Sequence, residues 1–373
     1  MPAGSDEALY LGMISGTSRD GADAALVHFR GDRAELLHAI CEPYPPALRH
    51  DVDALILAGE RPPEGRAASL DELLGRFFAR VANQLMEQAG VERRDVRVIG
   101  SHGQTVWHDP GARHAVSIQL GNGPLISRAT GVTTVSDFRR ADLVAGGQGA
   151  PLAPLLHRVL LGSDTENRAV VNIGGIANLT MLEQRKVTAG FDTGPGNCLM
   201  DAWIKSNRQV PFDREGEWAD SGSVDQSLLE DLLSEPYLQT TPPKSTGLEL
   251  FNPRWLERHL GERSISPENV QATLAELTAR TIAEAVQPFR VERVILCGGG
   301  VHNRHLVSRI AHHLPGIAVE SSAAHGVDPD WVEAILFAWL ARERIEGREQ
   351  DTGAITGARR PVLLGRVYER TVD

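Results

Sequence analysis

The sequence has only three cysteines among its 373 residues, and Cys41, Cys198 and Cys297 lie far apart. Because there is no C-x-x-C pair, the cysteines argue against a disulfide framework or a zinc ribbon, and they favour a reducing compartment. No apolar run approaches the roughly 20 residues that span a bilayer, and the N-terminus lacks the charged and apolar regions of a secretion signal. We therefore expect a cytosolic globular protein.

The sequence also has fewer basic than acidic residues. Lysine and arginine total 38 against 49 aspartates and glutamates, so the formal net charge is −11 at pH 7. This balance argues against nucleic acid or an anionic membrane as the main partner. It does not argue against a nucleotide, because backbone N–H groups can build a phosphate site without basic side chains.

Several well-known enzyme motifs are missing. The sequence contains no G-x-x-x-x-G-K-[ST] phosphate loop, no G-x-G-x-x-G after a strand, no H-E-x-x-H and no G-x-S-x-G. The histidines His102, His108 and His114 are six residues apart, which matches no known metal-ligand spacing. We therefore assign no metal-binding residues.

Glycine, in contrast, is abundant at 37 residues, and it indicates many tight turns. Residues 9–14 and 24–29 have the pattern of strands around a polar, glycine-containing turn, and residues 168–180 repeat this arrangement. The recurrence predicts a duplicated α/β design. Apolar spacing predicts helices over 67–89, 152–161, 200–204, 226–233, 270–286 and 332–341, with Gly90 as a C-cap, and further strands over 96–99, 116–120, 132–135 and 294–297.

Three glycine turns are candidate phosphate-binding elements. The first spans residues 15–23, where glycines allow close approach to a phosphate, hydroxyls add donors and carboxylates suit Mg²⁺ through water. The alternative is an ordinary polar hairpin loop. The second turn lies within 172–178 and the third is 298–300. Each closes a strand, so together they suit one triphosphate and its adenosine.

Asp192 is the candidate catalytic carboxylate. It lies at a strand end beside Gly194, Pro195 and Gly196, where α/β folds place catalytic groups. The alternative role is capping of the following helix, since Asp is a good N-cap residue. Thr193 or Asn197 could take that capping role instead, which would leave Asp192 available for chemistry.

Nine blocks, in order from about residue 9 to the C-terminus, resemble the signature of the anhydro-N-acetylmuramic acid kinase family. They are residues 13–23 (MISGTSRDGAD), 101–105 (SHGQT), 137–140 (DFRR), 146–151 (GGQGAP), 172–175 (NIGG), 190–197 (GFDTGPGN), 244–247 (KSTG), 297–300 (CGGG) and 356–358 (TGA). The departures are small: Ile14 and Arg19 replace more familiar residues, and Ala141 stands where a third Arg is frequent.

The resemblance implies the fold of the actin, hexokinase and heat-shock ATPase superfamily, which has two ribonuclease-H-like domains with ATP and sugar in the cleft. We expect domains of residues 1–135 plus 345–373 and residues 136–344. The implied reaction converts 1,6-anhydro-N-acetylmuramic acid, ATP with Mg²⁺ and water into N-acetylmuramic acid 6-phosphate and ADP. It serves peptidoglycan recycling in a bacterial cytoplasm, and the resemblance also implies a homodimer.

The resemblance also assigns roles to residues. Asp192 would be the general base, and Arg139 and Glu333 would line the sugar site. The ATP-binding residues would be Gly16, Thr17, Ser18, Arg19, Asp20, Gly21, Ala22, Asp23, Gly174, Gly175, Gly299 and Gly300. If Asp192 is not the base, Asp137, Asp142 and Glu333 are the next carboxylates to test.

Two other functions stay open at this point. A levoglucosan-type kinase opens the same bridge on a sugar without the lactyl and acetamido groups, and function resides in the site rather than in the fold. A non-metabolic actin-like ATPase would use nucleotide for conformational change. The segment from Asp351 to Asp373 is too short for a separate peptide-binding module, which disfavours that reading.

Overall fold

The computed structural model describes residues 8–16, 19, 21–111, 115–242 and 244–370. The chain divides into two compact units: unit 1 is Met1–Leu160 with Trp331–Asp373, and unit 2 is Leu161–Asp330. The predicted domain joins, after residue 135 and before residue 345, differ from this division. Residues 136–160 and 331–344 fall in unit 1 because the helix that follows Trp331 packs on the first sheet.

Unit 1 contains a mixed 7-stranded sheet in which β1 is central. The strands are β1 (Leu9–Ser15), β2 (Gly21–Arg30), β3 (Arg33–Pro43), β4 (Val96–Asp109), β5 (Val116–Leu120), β6 (Thr134–Ser136) and β12 (Arg366–Tyr368). Their order is β12-β6-β4-β1-β2-β3, with β5 paired to β4. β1, β2 and β3 are antiparallel neighbours, whereas β1, β4 and β6 run parallel.

The helices of unit 1 cover both faces of this sheet. They are α1 (Pro46–Ile56), α2 (Glu64–Ala89), α3 (Gly123–Thr130), α4 (Arg140–Val144), α5 (Ala153–Leu161, which ends at the unit boundary), α12 (Val332–Ile345) and α13 (Gly353–Thr356). The helix predicted over 67–89 is confirmed as α2, and Gly90 caps it in the left-handed conformation at φ 67°.

Two glycines explain why α12 lies so close to the sheet. A Cβ atom on Gly12 of β1 would stand 1.9 Å from the Ala334 carbonyl oxygen, and one on Gly100 of β4 would stand 1.9 Å from that of Phe337. Because neither strand has a side chain at these positions, the helix backbone reaches the sheet directly. α12 is buried on nearly all sides as a result.

Unit 2 repeats the same strand arrangement. Its strands are β7 (Arg168–Ile173), β8 (Ile176–Glu183), β9 (Lys186–Pro195), β10 (Arg293–Cys297) and β11 (Ala318–Ser321), in the order β11-β10-β7-β8-β9. β7, β8 and β9 are antiparallel, and β7, β10 and β11 are parallel. This is the order of β6-β4-β1-β2-β3 in unit 1, so the predicted duplication of a ribonuclease-H-like design is confirmed.

The core of unit 2 forms around α10, which is buried along most of its length. Its helices are α6 (Cys198–Arg208), α7 (Glu217–Asp220), α8 (Gln226–Leu233), α9 (Pro253–Leu260), α10 (Pro267–Val286) and α11 (Arg304–His313), with 3₁₀ turns at Arg214–Gly216, Gly299–His302 and Ser322–His325. Across the described ranges, we find no helix that is long and apolar enough to cross a membrane.

Candidate active site

The first glycine turn follows β1, and Gln104 of β4 holds its beginning. The Ser15 hydroxyl donates to Gln104 Oε1 at 2.7 Å, and Gln104 Nε2 donates to the Gly16 carbonyl oxygen at 3.5 Å. Arg19 forms an ion pair with Asp53 of α1 at 2.9 Å, so its guanidinium is directed at that helix. Thr17, Ser18 and Asp20 lie outside the described residues.

The second half of the predicted phosphate turn is a strand. Gly21, Ala22 and Asp23 begin β2, and Ala22 is fully buried. A Cβ atom on Gly21 would stand 2.2 Å from the Glu42 carbonyl oxygen of β3. Glycine is therefore needed at Gly21 for strand pairing, because a side chain there would collide with the backbone of β3.

Arg139 is fixed by two acceptors in unit 1. Its Nε donates to His102 Nε2 at 3.0 Å, and one terminal nitrogen donates to the Gly149 carbonyl oxygen at 2.9 Å. Burial and the Arg139 charge hold the pKa of His102 well below its usual value. The imidazole is therefore neutral, and it accepts from Arg139 at Nε2 while its Nδ1 lies 3.1 Å from the Gly103 carbonyl oxygen.

Glu333 lies in the first turn of α12 in the same neighbourhood. Glu333 is exposed at the surface, yet the protein atoms around its carboxyl reduce its hydration and so raise its pKa. The charge of Asp23 raises this pKa further. The charge of Arg139 acts in the opposite direction. Asp23, Arg139 and Glu333 are thus close enough to interact electrostatically, which brings both predicted sugar-site residues together.

Asp142 supports the loop that holds Arg139. Its buried carboxylate accepts from the Gly149 amide at 2.6 Å and from the hydroxyls of Thr352 and Thr356 at 2.5 and 2.8 Å. The Gly146–Pro151 and Thr356–Ala358 sequence blocks therefore meet at one buried carboxylate. With these three donors in place, Asp142 is a structural anchor.

In unit 2, the remaining glycine turns meet at the ends of β7, β9 and β10. The Gly174 carbonyl oxygen accepts from the Asn197 amide at 2.8 Å, and the Gly175 carbonyl oxygen accepts from the Gly196 amide at 2.9 Å. Cβ atoms on Gly298 and Gly300 would stand 2.4 Å from Asn172 Oδ1 and 2.3 Å from Ile173 Cγ2.

Gly299 differs from its two neighbours. An added Cβ atom there would meet nothing within 4 Å. The predicted turns at Gly174–Gly175 and Gly298–Gly300 are thus adjacent, and Gly299 faces open space.

Asp192 lies near the end of β9 and is half-buried. Its carboxylate Oδ2 accepts from the Thr246 amide at 3.0 Å, and its carbonyl oxygen accepts from the Tyr237 hydroxyl at 2.8 Å. The capping interpretation is wrong, since α6 begins at Cys198 and Asn197 takes the N-cap position. The Asn197 side chain itself donates to the Ile173 carbonyl oxygen.

Sequence reasoning assigned no role to several residues that complete these sites. Gln104, Lys244 and Thr246 lie in resemblance blocks without an individual role, His102 was considered only as a metal ligand, and Tyr237 lies in no motif. Only the block resemblance could have pointed to them, because their partners are distant along the chain. Among the residues that the structure describes, no group of three or more His, Cys, Asp or Glu side chains is arranged to hold a metal ion.

Comparisons with known proteins agree on one family. The family model for anhydro-N-acetylmuramic acid kinase matches residues 8–370. The anhydro-N-acetylmuramic acid kinase of Xanthomonas campestris pv. campestris is 48% identical over 98% of this chain and 99% of its own length. That of Legionella pneumophila is 46% identical over 96% and 98%.

One solved structure resembles the chain loosely. The ADPNP-bound activator of 2-hydroxyisocaproyl-CoA dehydratase from Clostridium difficile has a TM-score of 0.48 and 13% identity, over 91% of this chain and 96% of its own. A likeness of that size says nothing about the site. The family match and the relatives, by contrast, run nearly end to end, and the chain belongs to the anhydro-N-acetylmuramic acid kinase family.

Proposed function

We propose that this chain opens the 1,6-anhydro bridge of 1,6-anhydro-N-acetylmuramic acid with water and phosphorylates O6, with ATP as the donor. The products are N-acetylmuramic acid 6-phosphate and ADP. Family membership supports the kinase activity and the anhydrosugar substrate. The position of Asp192, a half-buried carboxylate held by a backbone amide at a strand end, is the observation that carries the mechanism.

Asp192 acts as the general base in this reaction. It takes a proton from water as the water oxygen bonds to the anomeric carbon, and the bond from that carbon to O6 breaks. O6 then forms a bond to the γ-phosphorus as the bond to the β–γ bridging oxygen breaks, which releases ADP. One base near the sugar is enough for the proton transfer. The rest of the rate enhancement comes from positioning the reactants and stabilising the charge of the transferred phosphoryl group.

The glycine turns bind ATP. In unit 2, Gly174, Gly175, Gly299 and Gly300 supply backbone near the ends of adjacent strands, and the open space at Gly299 leaves room for the nucleotide. In unit 1, the turn of residues 16–20 holds phosphate through backbone N–H groups. Gly21 and Ala22 contribute by keeping the start of β2 in place.

The oxygen donors of unit 1 suit the Mg²⁺ ion that accompanies ATP in kinases. Mg²⁺ prefers oxygen ligands and usually keeps several waters, so one or two carboxylates and the phosphates are enough to hold it. Asp23 is the third residue of β2, at the end of the first glycine turn, and its charge contributes to the raised pKa of Glu333. We assign Asp23 to hold the ion through water, where the ion would neutralise charge on the phosphates.

Arg139 and Glu333 bind the sugar. Arg139 is held rigidly by His102 and Gly149, which suits a cation that must orient a polar substrate. Glu333 has a raised pKa, so its carboxyl retains a proton at higher pH than an ordinary glutamic acid and can donate it to a substrate oxygen. We place the enzyme in a bacterial cytoplasm as a homodimer that recycles cell-wall peptidoglycan.

Coupled measurement of ADP release tests this function. We expect release with 1,6-anhydro-N-acetylmuramic acid and little with levoglucosan or with no sugar. Asp192→Asn should lower kcat by about 10²–10⁴-fold, because an amide cannot take a proton from water, while the nearly isosteric side chain preserves the thermal midpoint. Equal rates with both anhydrosugars would overturn the substrate assignment, and a near-normal kcat in Asp192→Asn would remove Asp192 from the mechanism.

A further inference from the structure

Residues 237–242 and 244–246, together called here the Asp192 clamp, lie against β9, the outer strand of the second sheet. β9 is the last strand in its sheet, so its outer backbone groups have no neighbouring strand. At Asp192 the clamp supplies the partners. The Asp192 amide donates to the Lys244 carbonyl oxygen at 3.3 Å, and the Asp192 carbonyl oxygen accepts from the Tyr237 hydroxyl at 2.8 Å.

The same segment also holds the carboxylate. The Thr246 amide donates to Asp192 Oδ2 at 3.0 Å, which is an ordinary hydrogen-bond distance. A carboxylate acceptor makes this a charge-assisted hydrogen bond. The pairing of β8 with β9 shifts beside this point, because Ala177 pairs with Gly194 and Asn178 pairs with Asp192. Thr193 is the extra residue of this bulge, and bulges are a common means of aiming a side chain near an active site.

Lys244, near one end of the clamp, bonds to residues at its other end. Its ammonium donates to the carbonyl oxygens of Tyr237 and Leu238 at 3.3 and 3.2 Å, and it lies 4.8 Å from the centre of the Tyr237 ring. Burial lowers the pKa of Lys244, and the charge of Asp192 opposes that shift. The cation therefore ties the two ends of the segment together while it lies within electrostatic reach of Asp192.

Tyr237 is suited to remain a donor. Burial raises the pKa of its hydroxyl, and the charges of Asp192 and Glu249 raise it further. The phenol therefore keeps its proton to higher pH than an ordinary tyrosine, and its hydroxyl remains the donor to the Asp192 carbonyl oxygen. Main chain and side chain of Asp192 are thus fixed by one segment that lies 45 to 54 positions further along the chain.

We propose that the Asp192 clamp orients the Asp192 carboxylate to take a proton from the attacking water, with Tyr237 and Lys244 as positioning residues. The proposal rests on the role of Asp192 as the base under the proposed function. It assigns a role to the KSTG block, which the mechanism otherwise leaves unused. A displacement of about 1 Å at a reacting group costs about 10²-fold in rate, so loss of one tether should be visible in kcat.

The kinetic test compares Tyr237→Phe and Lys244→Met with Tyr10→Phe, a matched removal of a hydroxyl that donates to Glu346 in unit 1. We expect kcat to fall about tenfold or more in both clamp variants. KM for sugar and for ATP should stay within about twofold, and Tyr10→Phe should match the wild type. An equal fall in Tyr10→Phe, or a change confined to KM, would overturn the proposal.

The pH profile of kcat separates positioning from general loosening. Among the described residues, Tyr237 and Lys244 interact electrostatically with Asp192, and Glu249 interacts with Tyr237. Removing the Lys244 cation removes charge that favours an ionised neighbour, so the acidic limb should move to higher pH in Lys244→Met. Tyr237→Phe removes no charge, so the acidic limb of its pH profile should stay at the same pH as in the wild type. Identical limbs in all variants would contradict the assignment of Lys244.

Hydrogen exchange provides a readout that does not depend on turnover. In Lys244→Met we expect faster exchange at the amides of Asp192 and Thr246, while amides in the core of β7 keep wild-type protection. Unchanged protection at Asp192 would overturn the clamp. Faster exchange there, combined with no anhydrosugar turnover by the wild-type chain, would support the clamp and overturn the proposed function instead.

Discussion

The two units have the same strand order but use glycine for different purposes. In unit 1, Gly12 and Gly100 lie inside strands, where they let the backbone of α12 reach the sheet. In unit 2, the glycines lie in turns at the strand ends, where carbonyl and amide groups of neighbouring turns bond to each other. Gly12 and Gly100 of unit 1 therefore support packing, whereas Gly174, Gly175 and the turn 298–300 of unit 2 shape part of the proposed nucleotide site.

The placement of charge follows the same division. Unit 1 holds Arg139 and His102 by hydrogen bonds and places Glu333 within electrostatic reach of Arg139, and we propose that Arg139 and Glu333 bind the sugar. Unit 2 holds the proposed base on an edge strand, where a distant segment supplies its partners. Under the proposed function, one duplicated frame carries two kinds of chemistry, and the differences reside in side chains at the ends of strands and the starts of helices rather than in topology.

The largest expected effect is on stability in unit 1. Gly100→Ala places a Cβ atom 1.9 Å from the Phe337 carbonyl oxygen, so α12 must move or the strand must distort. We expect a loss of about 4 kcal/mol or more in the free energy of unfolding, measured by chemical denaturation. Gly174→Ala is the matched control in unit 2, because its Cβ atom would lie at an ordinary 3.6 Å from the Ile176 carbonyl oxygen. Equal losses of unfolding free energy in Gly100→Ala and Gly174→Ala would contradict the difference between packing glycines and turn glycines.

The second expected effect is on nucleotide affinity in unit 2. Gly299→Val adds a side chain where nothing lies within 4 Å, so folding should be preserved while the side chain occupies space assigned to ATP. We expect ATP to bind at least about tenfold more weakly by calorimetric titration, equivalent to about 1.4 kcal/mol. Gly65→Val is the control, since Gly65 also faces open space but lies in α2 of unit 1. An unchanged ATP affinity in Gly299→Val would exclude this turn from the nucleotide site.

Much of the frame was predictable because its patterns are local. Three features depend on residues that are close in sequence: the apolar spacing of α2, the left-handed cap at Gly90 and the hairpins β1–β2 and β7–β8. β4 was predicted to stop before Gly100, since Gly, Ser, His, Gln and Thr are typical of turns. It continues to Asp109 because β1 pairs with Gly100, Ser101 and Gln104, and β5 pairs with the residues from Gln104 onward.

The site was less predictable because its contacts are not local. Gln104 reaches Ser15 across 89 positions, and Tyr237 reaches Asp192 across 45. Gly21 looks like a turn residue in sequence, yet its environment is the neighbouring strand β3. β3 itself is half-exposed and polar, so its pattern did not indicate a strand. The strand ends were therefore found from sequence, whereas the residues that orient the side chains there required the fold.

The smallest expected effect concerns a carboxylate in α6, directly after the glycine turns of unit 2. Burial raises the pKa of Asp201 to about 7, and the charge of Asp213 adds to the rise. The folded state therefore holds a proton that the unfolded chain releases near pH 4, so stability falls as pH rises from about 4 to about 7. Asp201→Asn removes that penalty: we expect a thermal midpoint a few degrees above the wild type at pH 8 and little difference at pH 4. Asp225→Asn is the control, since Asp225 caps α8 through the Leu228 amide and Asn is an equally good N-cap residue, so its thermal midpoint should stay close to the wild type at both pH values. A gain for Asp201→Asn that is equal at both pH values would mean that proton binding is not the cause.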